Sequence, residues 1–257
     1  MPPFITTNIN LIPALLLAFA AGTVGVFALM RRMTLASDAI SHIALPGLGL
    51  ALLFKINFLV GGAATLLLGV ILIWALERRT KIPTETIIGV IFSISLAIGS
   101  LVTPQEDLVE ALFGGFGGFS TVEFFASVIL TLGIIILILK LKNKLILEMI
   151  SSDLAKVTGI KSGRLSLYFL LLFGLTVILG LKLAGALLMG SLIIIPAASA
   201  KNLAWNINSM IFWAAGLAGL SVITGSYLAD YFNLSAGPAI ISLAGIIFFV
   251  SLLFRKD

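Results

Sequence analysis

Residues 9–30 read INLIPALLLAFAAGTVGVFALM, an apolar run that ends at Arg31 and Arg32. A run of roughly 20 apolar residues is long enough to cross the hydrocarbon core of a bilayer as a helix. This run has no basic residue before it and two after it, the reverse of the charge order in a secretory signal peptide. We therefore expect residues 9–30 to form a membrane-spanning helix of the protein.

The rest of the chain has the same character, because 60% of its 257 residues are hydrophobic, 11% are charged and the mean hydropathy is +1.21. We expect a single transmembrane domain over residues 1–257, an all-α polytopic bundle of about 8–9 helices. The spans around Lys182 are short and close together, so they predict either two helices or one bent, re-entrant unit. The further apolar spans are predicted near 38–54, 58–76, 85–103, 123–139, 165–181, 184–200, 203–229 and 236–254.

The basic residues predict how this bundle sits in its membrane. If the spans are threaded alternately with the N-terminus outside, fourteen of the 16 basic residues fall in cytoplasmic segments, and only Lys55 and Lys182 fall outside. This is the positive-inside pattern. It predicts an external N-terminus and a cytoplasmic C-terminus, and it accounts for the net charge of +5 without a nucleic-acid partner.

Two further features limit the chemistry. The chain contains no cysteine, which excludes disulfides, a thiol nucleophile and a cysteine-type zinc site. The external segment Pro104–Thr121 carries three acidic residues and no basic one. It could attract cations or dock a partner, although a solvated acidic loop is the simpler interpretation.

One pair of ionisable residues lies within an apolar span. His42 is the only histidine, and Asp38 precedes it by four residues, so both side chains share one face of a helix. Ionisable residues inside membrane segments often mark a substrate or ion path, and carboxylate and imidazole groups both bind divalent transition metals. Two other interpretations stay open at this point. Asp38 could cap the helix while His42 bonds within the bundle, or the pair could relay protons.

The number of ligands indicates that this pair is only part of a metal site. A divalent transition metal takes four to six ligands, and one copy of the chain offers two at this position. The sequence has no second histidine, and it places no other carboxylate convincingly inside a span. A two-fold symmetric homodimer that meets at this helix would bring together two copies each of Asp38 and His42.

Two prolines should interrupt apolar helices. Pro46 removes the hydrogen-bond partner of the His42 carbonyl, and Pro196 does the same to Leu192. Broken helices at membrane depth are tolerated where they contact protein or line a watery cavity. Pro46, Met189 and Pro196 are therefore our candidates for residues that line a path.

The longest cytoplasmic segment, Lys140–Arg164, contains a short capped helix near residues 151–160. We expect Ser152 to be its N-cap, Asp153 to lie in its first turn and Gly159 to adopt the left-handed conformation after its end. Such a helix could contact an intracellular protein or lie on lipid headgroups. The neighbouring residues GIKS at 159–162 lack the glycine spacing of a Walker A motif, so no ATP site is predicted in this chain.

Three stretches of the sequence resemble motifs in the permeases of zinc, manganese and iron ABC transporters, and they occur in the same order along the chain. The first is Arg32-Met33 followed by SDAISHIALPG at 37–47. The second is LAGALL at 183–188, continuing to IPAASA at 195–200. The third is the segment with Asp153, Ala155 and Gly159, which sits where such permeases have their coupling helix. Members of that family commonly have glycine where this chain has Ser37.

The resemblance implies a type II ABC importer-like permease in a prokaryotic plasma membrane, which is a transporter subunit and not an enzyme. It implies a homodimer, cytoplasmic ATPase subunits that hydrolyse ATP, and an extracytoplasmic metal-binding protein. It further implies metal contacts from Asp38 and His42, and ATPase contacts from the segment with Ser152, Asp153, Ala155 and Gly159. The cargo would be manganese, zinc or iron, with no tightly bound cofactor, and the scarcity of histidine favours manganese or iron. The alternative is a proton-coupled secondary transporter that uses the same pair as a relay; a membrane scaffold would not need the pair.

Overall fold

The computed structural model describes residues 3–102 and 121–255, so the acidic segment predicted at Pro104–Thr121 lies outside the described residues except for its last residue. The described residues form helices and connecting turns without a strand, which confirms the all-α prediction. The helices in chain order are α1 Pro3–Met30, α2 Ala36–His42, α3 Leu45–Leu53, α4 Phe58–Arg79, α5 Thr84–Val102, α6 Thr121–Ile150, α7 Ser152–Val157, α8 Ser162–Leu203, α9 Ile207–Phe232 and α10 Ala236–Leu252.

Seven segments of the described chain are long and apolar enough to cross a membrane, with α2 and α3 together forming one of them. Two shorter apolar segments, Leu188–Leu203 and Ala236–Leu252, complete the bundle. The predicted count of about 8–9 helices is therefore confirmed. The core lies around α1 and both parts of α8, since the spans on α1, α2–α3 and the first part of α8 are about two-thirds buried.

Helix α8 reverses direction at Gly185, which has φ 75° and ψ 170°. This region of backbone space is available essentially to glycine alone. A straight helix of this length would separate its ends by roughly 60 Å, yet Ser162 and Lys201 both lie at cavities that include Met30. Close to the reversal, Gly180 packs against Met189. The region around Lys182 is therefore two antiparallel half-helices joined by one tight turn.

Small residues let α1 approach its neighbours closely. A Cβ atom added to Gly22 would lie 2.5 Å from the carbonyl oxygen of Ala214 on α9. One added to Gly25 would lie 1.9 Å from the carbonyl oxygen of Ile193 on α8. No side chain fits at such distances, so glycine at these two positions allows direct backbone contact between helices.

Several basic residues meet at one end of the bundle, which we call the basic end. Arg31 and Arg78 line a cavity of about 680 Å³ there, and Lys201 lies beside a second cavity that shares Met30 with the first. The C-terminal end of α1, the end of α4 and both ends of α8 therefore meet. This grouping is the one that the positive-inside pattern predicts.

A buried ion pair joins α1 to α6 at the basic end. The Arg31 guanidinium donates a hydrogen bond to the Glu148 carboxylate, and the two side chains are only 12% and 15% exposed. Burial lowers the pKa of Arg31, while the carboxylates of Glu148 and Glu77 oppose that shift. Arginine stays protonated in proteins, so Arg31 is a buried cation whose partner is the carboxyl group of Glu148. The sequence analysis did not identify it.

A second set of contacts joins the end of α4 to the start of α8. The indole Nε1 of Trp74 donates to the carbonyl oxygen of Gly163 at 2.6 Å. The Glu77 carboxylate accepts hydrogen bonds of 2.8 Å from the hydroxyls of Ser166 and Thr84. These contacts and the Arg31–Glu148 pair fix the helices on either side of α7.

Two predicted boundaries at the basic end were wrong. The span at 123–139 extends as α6 to Ile150, so the predicted loop from Lys140 is helical in its first part. A helix of 30 residues is roughly 45 Å long, more than the roughly 30 Å hydrocarbon core, so α6 continues beyond the membrane. The predicted span at 203–229 begins instead at Ile207, because the Asn206 side chain caps α9 there.

The predicted N-cap of α7 was wrong by one residue. Ser151 has an extended backbone, and its hydroxyl accepts a hydrogen bond from the amide of Leu154 at 3.3 Å. Ser152 is instead the first helical residue. Either serine has the side chain of an N-cap, and the sequence could not distinguish them because α6 ends only one residue earlier.

Candidate metal site

The site lies where one membrane span breaks into α2 and α3. Pro46 occupies the first turn of α3, and the amides of Ile43 and Ala44 bond to the carbonyls of Ile40 and Ser41, three residues back. The predicted interruption at Pro46 is therefore confirmed, as a short 3₁₀-type connection. The result is a separate helix of only 7 residues, α2, which carries the whole candidate site.

Asp38 and His42 lie together on one face of α2, as their spacing predicts. His42 Nε2 is 3.7 Å from Asp38 Oδ1, which exceeds hydrogen-bond length. Two ligand atoms about 2.1 Å from one ion are about 3.4 Å apart at a tetrahedral angle. The observed separation is close to that value, so both atoms can contact one divalent metal after a small adjustment.

The two side chains differ in exposure. The Asp38 side chain is 54% exposed, whereas that of His42 is 12% exposed. The imidazole ring packs against Phe92 of α5, with ring centroids 5.6 Å apart. Its Nδ1 is buried and has no hydrogen-bond partner among the described residues. The ring thus presents Nε2 toward the exposed carboxylate, on the open side of the protomer.

Two serines of α2 form hydrogen bonds with backbone carbonyl groups, one within the helix and one with α8. The hydroxyl of Ser41 donates to the Asp38 carbonyl at 2.7 Å. The hydroxyl of Ser37 lies 3.2 Å from the carbonyl oxygen of Gly190, on the second half of α8, and 3.2 Å from that of Thr34. Ser37, which departs from the resembled pattern, therefore bonds α2 to α8.

Within the part of the chain that the structure describes, no group of three or more histidine and acidic side chains is placed to hold a metal ion. This agrees with the ligand count from the sequence, since one protomer supplies only Asp38 and His42 at the site. Gly190 is a contributor that sequence reasoning missed. Its contact with Asp38 joins segments more than 150 residues apart, and no local pattern indicates such a contact.

The three candidates for path-lining residues are buried in the protomer. Pro46 lies beside a cavity of about 230 Å³ that Thr65 and Ser95 also line. Met189 is fully buried against Gly180, and Pro196 is buried within the second half of α8. Their role in a path stays a prediction. The helix continues through Pro196 to Leu203 and its non-helical backbone lies at Gly185, so the predicted interruption at Pro196 was wrong.

The residues predicted to contact an ATPase lie on or beside α7. Asp153 is exposed and pairs with Lys156 at 3.0 Å, whereas Ala155 is fully buried against the bundle. Gly159 has φ 80°, the predicted left-handed conformation after the helix end. Ser152 lines the cavity at the basic end. Helix α7 therefore has an anchored face and an exposed face.

A polytopic helical bundle with an ionisable pair in a broken span is typical of membrane transport proteins. Comparison with known proteins specifies the class. Residues 4–255 match the model of the ABC 3 transport family. The chain belongs to this family, so it is a membrane permease of an ABC transporter and not an enzyme.

The sequences of individual relatives align with this chain over nearly its whole length. The high-affinity zinc uptake system membrane protein ZnuB of Haemophilus influenzae is 31% identical, with 96% of this chain and 98% of that protein covered. The manganese transport system membrane protein MntC of Listeria monocytogenes is 29% identical, with 95% and 89% covered. Among solved structures, PsaBC from Streptococcus pneumoniae in complex with Fab superposes with a TM-score of 0.82 at 28% identity, covering 96% of this chain and 90% of that one.

Proposed function

We propose that this chain forms the translocation path of an ATP-driven importer of divalent manganese, zinc or iron, and that it works as a homodimer. Asp38 and His42 are the metal-contacting residues. The observation that carries this proposal is the pair itself: a half-exposed carboxylate and a nearly buried imidazole nitrogen 3.7 Å apart, on a two-turn helix inside the membrane bundle.

The homodimer follows from ligand counting and exposure. One protomer supplies two ligands, and the exposed Asp38 side chain lies on a helix within an apolar span, where an unpaired carboxylate is costly. A second copy that packs there would cover both carboxylates and double the number of ligands. The names of two relatives, a manganese transport protein and a zinc uptake protein, support this class of cargo.

The remaining parts of the proposal concern partners and orientation. A cytoplasmic ATPase subunit contacts the exposed face of α7, and an extracytoplasmic metal-binding protein delivers the ion to the opposite end. The N-terminus is outside and the C-terminus is cytoplasmic, because this arrangement puts the basic end in the cytoplasm.

Metal uptake by the reconstituted transporter tests the site assignment. We expect Asp38→Asn and His42→Gln each to reduce ATP-dependent manganese or zinc uptake at least about tenfold, because each removes a metal ligand while keeping the size of the side chain. Asp230→Asn is the matched control, since Asp230 is an exposed carboxylate on α9 away from the site. Its uptake should equal that of the wild type.

Two results would contradict the proposal. Wild-type uptake by both site variants would exclude Asp38 and His42 as metal contacts. Uptake that needs no ATP but follows a proton gradient would instead favour the proton-coupled transporter, with the same pair as a proton relay.

A further inference from the structure

The position of the Asp38 carboxylate is not set by its partner in the pair. Its separation of 3.7 Å from His42 Nε2 is too long for a hydrogen bond that would hold it, and more than half of the side chain is exposed. The carboxylate must therefore be placed by the backbone of α2 and by whatever α2 packs against.

Gly190 is what Asp38 packs against. A Cβ atom added to Gly190 would have three nearest neighbours, all in Asp38: Cα at 3.0 Å, Oδ1 at 3.1 Å and Cβ at 3.3 Å. Oδ1 is also the oxygen that faces His42. The missing side chain of Gly190 thus leaves the space in which the proposed metal ligand sits.

Ser37 forms a second contact between α2 and Gly190. Ser37 is the residue before Asp38. Its buried hydroxyl lies 3.2 Å from the carbonyl oxygen of Gly190. Gly190 therefore faces the site helix at two points: the side on which a Cβ atom would stand faces Asp38, and its carbonyl oxygen faces Ser37. Gly190 is also five residues beyond the reversal at Gly185, so α2 rests on the start of the second half of α8.

We propose that Gly190 and Ser37 are positioning residues that set the distance between the Asp38 carboxylate and the His42 imidazole, and thereby the affinity for metal. This inference rests on the proposed function of the pair. Neither residue contacts the metal. They act through the placement of Asp38, as groups around metal ligands commonly do, with effects of about 10–100-fold on affinity.

The test is the concentration dependence of ATP-driven manganese and zinc uptake by Gly190→Ala in the reconstituted transporter. A methyl group at Gly190 must push Oδ1 or the α2 backbone away by a few tenths of an ångström. We expect the apparent KM for metal to rise about tenfold, the maximal rate to change much less, and the ratio of manganese to zinc uptake to shift.

Two glycine variants serve as controls. Gly216→Ala makes the same change in α9, where no atom of another described helix lies within 4 Å of the new methyl group, so wild-type uptake is expected. Gly174→Ala disturbs the first half of α8 through contacts of similar closeness with Leu66 and Val70 of α4, and none of its close contacts is with Asp38. If Gly174→Ala raises KM as much as Gly190→Ala, the effect belongs to α8 packing in general and the inference is wrong.

Ser37→Ala tests the same inference if Gly190→Ala does not fold, because this substitution removes the Ser37 hydroxyl without adding volume. A rise in KM of about threefold or more supports the inference, on the same scale of effects on affinity. An unchanged KM with a lowered maximal rate overturns it. Failure of the proposed function has a different signature, namely a wild-type complex that imports no metal or an Asp38→Asn variant that imports it normally.

Discussion

Replacing Glu148 with glutamine should destabilise the protein by about 3 kcal/mol, because it leaves the Arg31 guanidinium buried without its anionic partner. Both side chains are at least 85% buried, and burial already lowers the pKa of Arg31. Breaking a buried ion pair costs about 3–5 kcal/mol in general. We expect a cost at the lower end of this range, because the Glu77 carboxylate remains near Arg31 after the substitution.

The double variant Arg31→Met with Glu148→Leu should recover most of this loss, because removing both charges also removes the cost of burying either one. The assay is thermal unfolding of the purified protein in detergent, followed by the fluorescence of its three tryptophans. For a protein of this size, a loss of 3 kcal/mol lowers Tm by about 6–12 °C, at about 2–4 °C per kcal/mol.

The exposed pair of Asp153 and Lys156 provides the matched control. Its side chains are 91% and 67% exposed, so Asp153→Asn should cost less than about 1 kcal/mol and lower Tm by only a few degrees. If Glu148→Gln unfolds within 2 °C of the wild type, or if the double variant is as unstable as the sum of its single variants, our reasoning about the buried pair is refuted.

Two further predictions concern local structure. Ser151→Ala should destabilise α7 by about 1 kcal/mol and speed amide hydrogen exchange in this helix, because it removes the N-cap. Ser152→Ala keeps the N-cap and should leave the exchange rates of α7 unchanged. Equal exchange in the two variants would contradict the cap assignment. Gly47→Ala should separate α3 from α4 and lower the yield of folded protein, because its Cβ would lie 2.0 Å from the Gly61 carbonyl oxygen. Gly133→Ala is the control, because its new methyl group meets no atom of another described helix within 4 Å. Equal yields of the two variants would contradict the packing argument.

The sequence predicts most of the membrane architecture, because the hydrophobic spans and the side preference of basic residues are local signals. The spacing of Asp38 and His42 likewise predicts a shared helix face, which is a property of five consecutive residues. Pro46 predicts the break between α2 and α3 for the same reason. In each case the physical cause lies within a few residues of its effect.

Contacts between distant segments could not be predicted in this way. Nothing near Gly190 indicates that it faces Asp38, and Glu148 reads as one polar residue at the end of an apolar helix until Arg31 is placed beside it. The N-cap of α7 was missed for a different reason, since two adjacent serines satisfy the same local rule. The packing of α1, α6 and α8 decides these points, and packing depends on the whole fold.

The reversal at Gly185 also bears on how the chain enters its membrane during synthesis. The second half of α8, Leu188–Leu203, is roughly 24 Å long, which is shorter than the hydrocarbon core. It follows the longer first half after a single tight turn, so the two halves can be inserted together as a helical hairpin. A side chain at Gly185 would then harm the biogenesis of the protein before it could affect transport, and the amount of inserted protein would report that defect.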